Sequence, residues 1–264
     1  MLRYAANLTM LFNEVPFLER FARAAAAGFR AVEFLFIHDV DRAAVARELQ
    51  RHRLELVLFD PEGGHFPAGD RGYLCDPAKR DHCRRTIEDA VAAARELGCR
   101  RLNVLAGNRA ESASDDLMRR TMVETLAAAA PMASTAGITL LIEVLNTWES
   151  PRYFLDRSRL ALGIVREVGA PNVRFQFDCY HLQRMEGQLI DGLITNLPWI
   201  GHVQIADVPG RHEPGTGEIH YAGIARALDA MHWRGTISFE GWASGDVELA
   251  LQRFRAAFTL RESP

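Results

Sequence analysis

Short apolar runs typical of β-strands alternate along the chain with longer amphipathic runs typical of helices. The strand-like runs cover residues 3–9, 31–36, 54–60, 101–105, 139–147, 173–178, 200–208 and 236–240. The helical runs cover 15–27, 41–53, 78–97, 114–137, 156–168, 187–197, 221–231 and 246–260, and Pro131 is a point at which the fourth helix could break. Eight β-then-α pairs in succession predict a parallel sheet covered by helices.

No segment rich in Pro, Gly or Ser divides the chain, so residues 1–264 are expected to form one domain. Eight β–α units in about 250 residues match a single closed (β/α)₈ barrel, the TIM barrel of the α/β class. An open doubly wound sheet is the alternative. The sequence disfavours it, because the first βα turn lacks G-x-G-x-x-G and no G-x-x-x-x-G-K-[ST] cradle for phosphates occurs.

Polar residues interrupt the apolar runs near the ends of the last four predicted strands. They are Glu143, Asp178, Gln204 and Glu240. The carboxyl ends of barrel strands converge on the active site, so these side chains are expected to meet there. A buried charge must be paired or bind a metal, and carboxylate and amide oxygens suit Mg²⁺ or Mn²⁺ better than Zn²⁺. The sequence therefore predicts one divalent metal site with these four ligands.

Glu143 and Glu240 belong to strands on different sides of the predicted barrel, which allows them to face one substrate. Removing a proton next to a carbonyl needs a base and stabilisation of the enediolate oxygen. A divalent cation provides that stabilisation as a Lewis acid. We therefore predict that Glu143 and Glu240 are the catalytic pair and transfer a proton between neighbouring carbons.

Four further residues are candidates for substrate contact. His181 lies three residues after Asp178, and Glu149 lies six residues after Glu143. Arg211 belongs to a loop dense in Gly and Pro and is suited to grip a substrate carboxylate. Asn7 closes the first strand. For each residue the alternative is a structural role: backbone hydrogen bonding, surface charge or loop capping. For Glu33 in the second strand, a structural ion pair is equally compatible.

A long loop and several aromatic residues are also expected near the active site. The loop at 61–77, rich in Gly and Pro, is longer than usual connections, which is typical of a lid. Aromatic residues near strand ends either line the pocket or pack in the core; they are Phe12, Phe36, Phe66 and Trp242.

Composition narrows the partners to small molecules. The formal net charge of −3 disfavours binding to bulk nucleic acid or anionic membrane, and no apolar run reaches the ~18 residues of a membrane span. The amino terminus lacks a signal-peptide pattern, and the four cysteines have no zinc spacing, which favours reduced thiols in a cytoplasmic protein. A homo-oligomer is compatible with the sequence, which does not decide the point.

Four segments carry a resemblance to a known family. They read AANLTMLF at 5–12, AVEFLF at 31–36, RLNVLAG at 101–107 and HVQIADVPGRHEPGTGE at 202–218. They resemble signatures of the hydroxypyruvate isomerase family of xylose-isomerase-like barrels, and the likeness runs nearly end to end. The resemblance implies an isomerase without an organic cofactor, assisted by Mg²⁺ or another divalent ion, with Glu143 and Glu240 as proton donor and acceptor.

Two departures from the family lie beside the catalytic glutamates. Val144 follows Glu143 where the family usually has Pro, and Gly241 and Trp242 follow Glu240 where Tyr and a nearby Pro are common. Gln204 stands where related ketose 3-epimerases have a metal-binding His, which favours the isomerase branch. The resemblance and the acids together predict isomerisation of a small 2-oxo-3-hydroxy acid, with hydroxypyruvate to 2-hydroxy-3-oxopropanoate (tartronate semialdehyde) as first choice.

Four alternatives stay open at this point. In the first alternative, the substrate is a four-carbon 2-oxo-tetronate. In the second, the enzyme is a 3-epimerase of free ketoses. An endonuclease IV-like phosphodiesterase uses the same barrel, but it needs a His-rich multi-zinc cluster that the sequence does not obviously contain. A non-catalytic barrel that binds sugar acids is the last alternative.

Overall fold

A computed structural model describes residues 2–38 and 40–258. Eight parallel strands close into a barrel in the order of the sequence. The strands are β1 (Arg3–Asn7), β2 (Ala31–Phe36), β3 (Glu55–Asp60), β4 (Arg101–Asn103), β5 (Thr139–Glu143), β6 (Val173–Asp178), β7 (Ile200–Ile205) and β8 (Thr236–Phe239). The predicted single TIM barrel is therefore confirmed.

Helices connect the strands and form the outer layer. Within the described residues they are α1 (Glu19–Ala26), α2 (Arg42–His52), α3 (Arg80–Leu97), α4 (Asp115–Thr135), α5 (Ser158–Val168), α6 (Cys179–Met185), α7 (Leu189–Asn196), α8 (Tyr221–Ala230) and α9 (Val247–Phe258). Residues 259 and 260, which we predicted to end the last helix, lie outside the described part of the chain.

Several details of the predicted elements differ from the structure: the ends of β5 and β7 were placed too late, and two further differences concern helices. The break considered at Pro131 does not occur, because α4 continues to Thr135 with Ala129, Ala130 and Ala133 still packed on the core. The short helix α6 was not predicted. It follows β6 without a connecting loop, and its first turn is capped by the carboxylate of Asp178.

Apolar packing occupies the space between strands and helices, whereas the barrel interior holds little of it. A small apolar cluster, separate from the main core, is formed by Ala5, Ala31, Val57, Leu58 and Leu141. Leu141 lies two residues before Glu143 on β5, so both side chains leave the same face of the strand. The apolar layer thus supports a polar layer at the carboxyl end of the barrel.

The loop at 61–77 is held against the neighbouring βα loops. Cys75 N donates to Ala106 O at 2.6 Å, Asn108 Nδ2 donates to Gly69 O at 2.8 Å, and Arg71 Nε donates to Ser150 Oγ at 3.0 Å. Its movement as a lid stays a prediction. Across the described residues, the helices are all too short or too polar to cross a bilayer.

Truncation of the inner apolar layer should destabilise the barrel. Leu141 is fully buried, so Leu141→Ala is expected to lower the free energy of unfolding by about 2–5 kcal/mol through lost burial and a residual cavity. Urea denaturation measures this. Leu249→Ala on α9, where the side chain is 46% exposed, is the matched control and should change stability by about 0.5 kcal/mol or less. Equal effects of the two substitutions would contradict this account of the interior.

Candidate active site at the barrel mouth

Every strand contributes a buried polar side chain to the barrel interior. In order from β1 to β8 they are Asn7, Glu33, Asp60, Asn103, Glu143, Asp178, Gln204 and Glu240. Most of them lie at or next to the carboxyl end of the strand, and Glu33 lies deeper. Because the carboxyl ends of barrel strands meet at one rim, the fold collects acids and amides in a single mouth.

The two carboxylate oxygens of Glu143 have different surroundings. Oε2 accepts a hydrogen bond from Asn103 Nδ2 at 2.8 Å, whereas the buried Oε1 has no hydrogen-bond partner. Burial raises the pKa of Glu143 well above its usual value, and the negative charges of Glu240 and Asp178 add to the effect. Oε1 is therefore available to a cation or a substrate.

One carboxylate oxygen of Asp178 is hydrogen-bonded to the main chain, and the other faces the mouth. Oδ1 accepts the backbone N–H of Tyr180 at 2.7 Å and that of His181 at 3.4 Å. Oδ2 makes no hydrogen bond and lies 3.7 Å from Arg211 Nη2. Burial raises the pKa of Asp178, although the charge of Arg211 opposes this. The main chain thus fixes the carboxylate and leaves one oxygen directed at the site.

His181 is a buried, neutral hydrogen-bond donor. Its Nδ1 accepts the backbone N–H of Asn146 at 3.1 Å, so in the neutral imidazole the proton resides on Nε2. Burial lowers the pKa of His181 well below its usual value, and the charges of Arg211 and Arg184 act in the same direction. Nε2 lies 3.6 Å from Asp178 Oδ2. The imidazole therefore offers an N–H group to the mouth.

Glu240 is paired with Arg211 across the mouth. Arg211 Nη2 donates to Glu240 Oε2 at 2.6 Å, and Asn7 Nδ2 donates to Glu240 Oε1 at 3.1 Å. Burial raises the pKa of Glu240 to about 8; the charge of Arg211 opposes this rise, and the charge of Asp178 adds to it. Because Arg211 Nη2 is close to both Asp178 and Glu240, the acids at the ends of β6 and β8 share one guanidinium.

Gln204 belongs to a hydrogen-bonded network centred on Glu33. Gln204 Nε2 donates to Glu33 Oε1 at 2.8 Å, and Gln204 Oε1 accepts from Gln176 Nε2 at 2.6 Å. Glu33 Oε2 lies 2.8 Å from His202 Nε2. Burial alone would raise the pKa of Glu33, but the hydrogen bond and charge of His202 bring it below its usual value. Glu33 is thus hydrogen-bonded on both oxygens, and the structural ion pair considered for it stays a prediction.

Two carboxylates of the mouth meet the requirements of a metal site. Among the described residues, Glu143, Asp178 and His181 form the one group of three His, Cys or acidic side chains whose ligand atoms lie within 4.8 Å of one another. The unpartnered Glu143 Oε1 and Asp178 Oδ2 suit a hard divalent cation such as Mg²⁺ or Mn²⁺. His181 suits it less, because Nε2 carries a proton.

The other two predicted ligands have hydrogen bonds to protein groups in this arrangement. Glu240 uses one oxygen for Arg211, and the amide oxygen of Gln204 accepts from Gln176. Each would need to exchange or share that contact to coordinate an ion, so their role as ligands stays a prediction.

Glu149 lies at the outer edge of the same network. Its carboxylate accepts hydrogen bonds from the Tyr180 hydroxyl and from Asn146 Nδ2, and it lies 3.7 Å from Arg211 Nη1. The side chain is 42% exposed, so it is accessible from solvent at the entrance. Glu149, Arg211 and His181 are thus brought together. Asn7 instead has its amide hydrogens directed at Glu33 and Glu240.

The loop after β7 is built around the carboxylate of Asp207. That carboxylate accepts four backbone N–H groups at 2.8–3.0 Å, from Val208, Gly215, Gly217 and Ile219. A side chain at Gly217 would place its Cβ 1.8 Å from Val208 O, so the loop requires glycine there. Arg211 adopts a φ of 55°, and its carbonyl accepts from Trp242 N at 2.9 Å. The loop therefore fixes the guanidinium relative to the residues after β8.

The four aromatic residues considered for the pocket separate into two groups. Phe12 and Trp242 line a groove of about 810 Å³ beside the mouth, bordered by α1 and α9 and not by the buried acids. Phe36 and Phe66 pack against each other with ring centroids 4.7 Å apart, and Arg71 lies over the Phe66 ring.

Sequence reasoning missed Asp60 and Asn103. Asp60 ends an apolar run, which is the same signal that drew attention to Glu143, and burial raises its pKa well above the usual value. Asn103 had no such signal, because it was placed inside a longer predicted strand. Its importance is visible only from the distance of its amide to Glu143.

Comparison with known proteins agrees with this geometry. Residues 21–258 match the xylose isomerase-like TIM barrel family. The chain is 43% identical over 240 residues to a 2-oxo-tetronate isomerase of Cupriavidus necator, covering 91% of this chain and 90% of the relative. It is 40% identical over 240 residues to a hydroxypyruvate isomerase of Escherichia coli, covering 91% and 93%.

A solved structure extends the comparison. A crystal structure from Brucella melitensis, named as an AP endonuclease of family 2, superposes with a TM-score of 0.93 at 40% identity, covering 97% of this chain and 99% of that one. The relatives named as isomerases make this chain an enzyme of the isomerase class. The chain belongs to the xylose isomerase-like TIM barrel family and, within it, to the group that contains the hydroxypyruvate and 2-oxo-tetronate isomerases.

Proposed function

We propose that the protein interconverts a small 2-oxo-3-hydroxy acid and its aldehyde isomer, with hydroxypyruvate and 2-hydroxy-3-oxopropanoate as the first pair. The observation that carries the proposal is the placement of Glu143 and Glu240. They are buried at the ends of β5 and β8, close enough that the charge of Glu240 raises the pKa of Glu143. A 2-oxo-tetronate is the second candidate, since relatives carry both names.

In the proposed reaction, one glutamate removes a proton from C3 of hydroxypyruvate, and the electron pair forms the enediolate. The same glutamate or the opposite one returns a proton to C2, while the hydroxyl proton at O3 is transferred to O2. Proton transfer by positioned carboxyl groups of raised pKa is efficient near neutral pH. His181 Nε2–H donates a hydrogen bond to a substrate oxygen, and Arg211 holds the carboxylate.

Glu143 and Asp178 would hold a divalent cation, Mg²⁺ or Mn²⁺, with Gln204 and Glu240 as the further predicted ligands. When bound, such a cation supplies Lewis-acid stabilisation of the negative charge on the enediolate. Glu149 is available at the entrance to accept a hydrogen bond from a substrate hydroxyl. Direct contact of Asn7 with the substrate stays a prediction.

A phosphodiesterase of the endonuclease IV type is supported less well. Such an enzyme needs a cluster of zinc-binding histidines. The candidate metal site found among the described residues has one histidine beside two carboxylates. The Brucella protein bears an endonuclease name, but the oxygen-rich donor set here favours a harder cation. Finding several zinc ions per chain would favour the phosphodiesterase.

Substitution of the catalytic glutamates tests the proposal directly. Glu143→Gln and Glu240→Gln should each lower kcat by about 10²–10⁴-fold, because a general acid or base is lost. NMR in D₂O with hydroxypyruvate, and separately with 2-oxo-tetronates, follows solvent deuterium at C2, with and without EDTA. Glu111→Gln, at an exposed site, is the control and should retain full activity. Near-wild-type turnover in Glu240→Gln would eliminate the proposed mechanism.

Replacement of Arg211 should distinguish acids from neutral sugars. Arg211→Ala is expected to lower kcat/KM for hydroxypyruvate by about 10–100-fold more than for an uncharged ketose, because a charge-assisted contact to the carboxylate is lost. Steady-state kinetics with both substrates measures the difference. Arg47→Ala, on an exposed part of α2, is the matched control. An equal loss for both substrates would point to a 3-epimerase of free ketoses.

The raised pKa of Glu240 should affect stability in the metal-free protein. Folding favours the proton-bearing carboxyl, so its contribution to stability is complete below the ordinary pKa of 4.5 and is lost as pH rises through about 8. Over that window, wild type should lose on the order of 2–5 kcal/mol of unfolding free energy relative to Glu240→Gln. Urea denaturation in EDTA measures this. Parallel pH curves for the two proteins would show that Glu240 ionises normally.

A further inference from the structure

The two catalytic glutamates are each held by an asparagine that also contacts a second buried acid. On one side, Asn103 Nδ2 donates to Glu143 Oε2 at 2.8 Å. Asp60 is the neighbouring buried acid, and the polar side chain of Asn103 opposes the rise in the pKa of Asp60 that burial causes. These residues come from three successive strands, with Asp60 on β3, Asn103 on β4 and Glu143 on β5. The amide thus lies between two carboxylates that would otherwise repel each other.

The same arrangement recurs on the opposite side of the barrel. Asn7 Nδ2 donates to Glu240 Oε1 at 3.1 Å and to Glu33 Oε1 at 3.0 Å, and these residues again come from adjacent strands, β8, β1 and β2. Asn7 Oδ1 accepts Thr9 N at 3.0 Å, which fixes which end of the amide faces the acids. Acid, amide and acid therefore stand in a row on two separate sets of three strands.

An NH₂ group is well suited to this position. It has two hydrogens and can give one to each neighbouring carboxylate, so it reduces their repulsion without adding charge. It also occupies only one oxygen of each glutamate. At Glu143 the other oxygen is left without a partner, and at Glu240 the other oxygen meets Arg211. The amide therefore sets the direction in which the second oxygen points.

We propose that Asn103 and Asn7 are the positioning residues of Glu143 and Glu240, each fixing its glutamate against a neighbouring buried acid so that one carboxylate oxygen faces the cation and substrate. This inference rests on the proposed function, because it takes the two glutamates as the reacting groups. Neither asparagine needs to contact the substrate in order to act.

Mn²⁺ affinity and kinetics of Asn103→Leu and Asn7→Leu test the proposal. Loss of an outer partner that orients a ligand typically costs about 10–100-fold in metal affinity or activity. Asn103→Leu should therefore raise the Kd for Mn²⁺, measured by electron paramagnetic resonance of the free ion, and lower kcat with little change in KM. For Asn7→Leu we expect a lower kcat with unchanged KM. A raised KM at unchanged kcat would overturn its role and indicate substrate contact.

The matched control is Asn172→Leu. Asn172 Nδ2 donates to Ala130 O and Ile138 O at the amino end of the barrel, far from the acids. Asn172→Leu should lower the free energy of unfolding about as much as Asn103→Leu does, but it should leave the Mn²⁺ affinity unchanged. Should Asn103→Leu fail to fold, Asn103→Ser is the second variant; its hydroxyl can serve only one acid, and an intermediate loss of affinity and kcat is expected.

A double substitution separates this inference from the proposed function. In a Glu143→Gln background, Asn103→Leu should weaken Mn²⁺ binding no further, because the asparagine acts through the glutamate. Independent, multiplicative losses would overturn the positioning role. Unchanged Mn²⁺ affinity and kcat in Asn103→Leu, with both impaired in Glu143→Gln, would overturn it while leaving the proposed function intact. A Glu143→Gln enzyme with normal activity and affinity would overturn both.

Discussion

The electrostatic repulsion among buried carboxylates is the constraint that organises this barrel. Glu33, Asp60, Glu143, Asp178 and Glu240 all lie in its interior, although isolated buried charges are strongly unfavourable. The remaining polar groups of the mouth reduce this cost in different ways. An arginine supplies opposite charge, a histidine and two asparagines supply hydrogen bonds, and the first turn of α6 supplies backbone N–H groups.

These contacts do not satisfy every carboxylate oxygen, and the unsatisfied oxygens can bind a cation or a substrate. Glu143 retains a free oxygen and Asp178 retains another, both in a region of low dielectric where a cation interacts strongly. Glu240 differs because its oxygens are both hydrogen-bonded, one of them to a guanidinium. The two glutamates that we propose as the proton-transfer pair are thus inequivalent before substrate arrives, since only one has an open coordination position.

The barrel fold could be predicted from the sequence because the alternation of strand-like and helical runs is repeated eight times. Eight alternating runs identify the barrel even where single boundaries are misplaced, as at the ends of β5 and β7. The acids at strand ends could be recognised because a carboxylate is conspicuous in an apolar run. The partners of those acids could not. Whether Asn103 reaches Glu143, or Gln204 bonds Glu33, depends on which neighbouring strand lies alongside and how far each side chain extends, and neither is encoded in local spacing.

The loop after β7 illustrates how such a site can change without losing the arginine that pairs with Glu240. Its shape depends on internal hydrogen bonds to Asp207 and on its glycines, while Thr216 and Glu218 are exposed. Sequence drift at the outward positions would alter the entrance, and hence which substrates reach the interior, while the guanidinium keeps its place. Barrels of this construction are therefore well placed to diversify in substrate choice during evolution while conserving their chemistry.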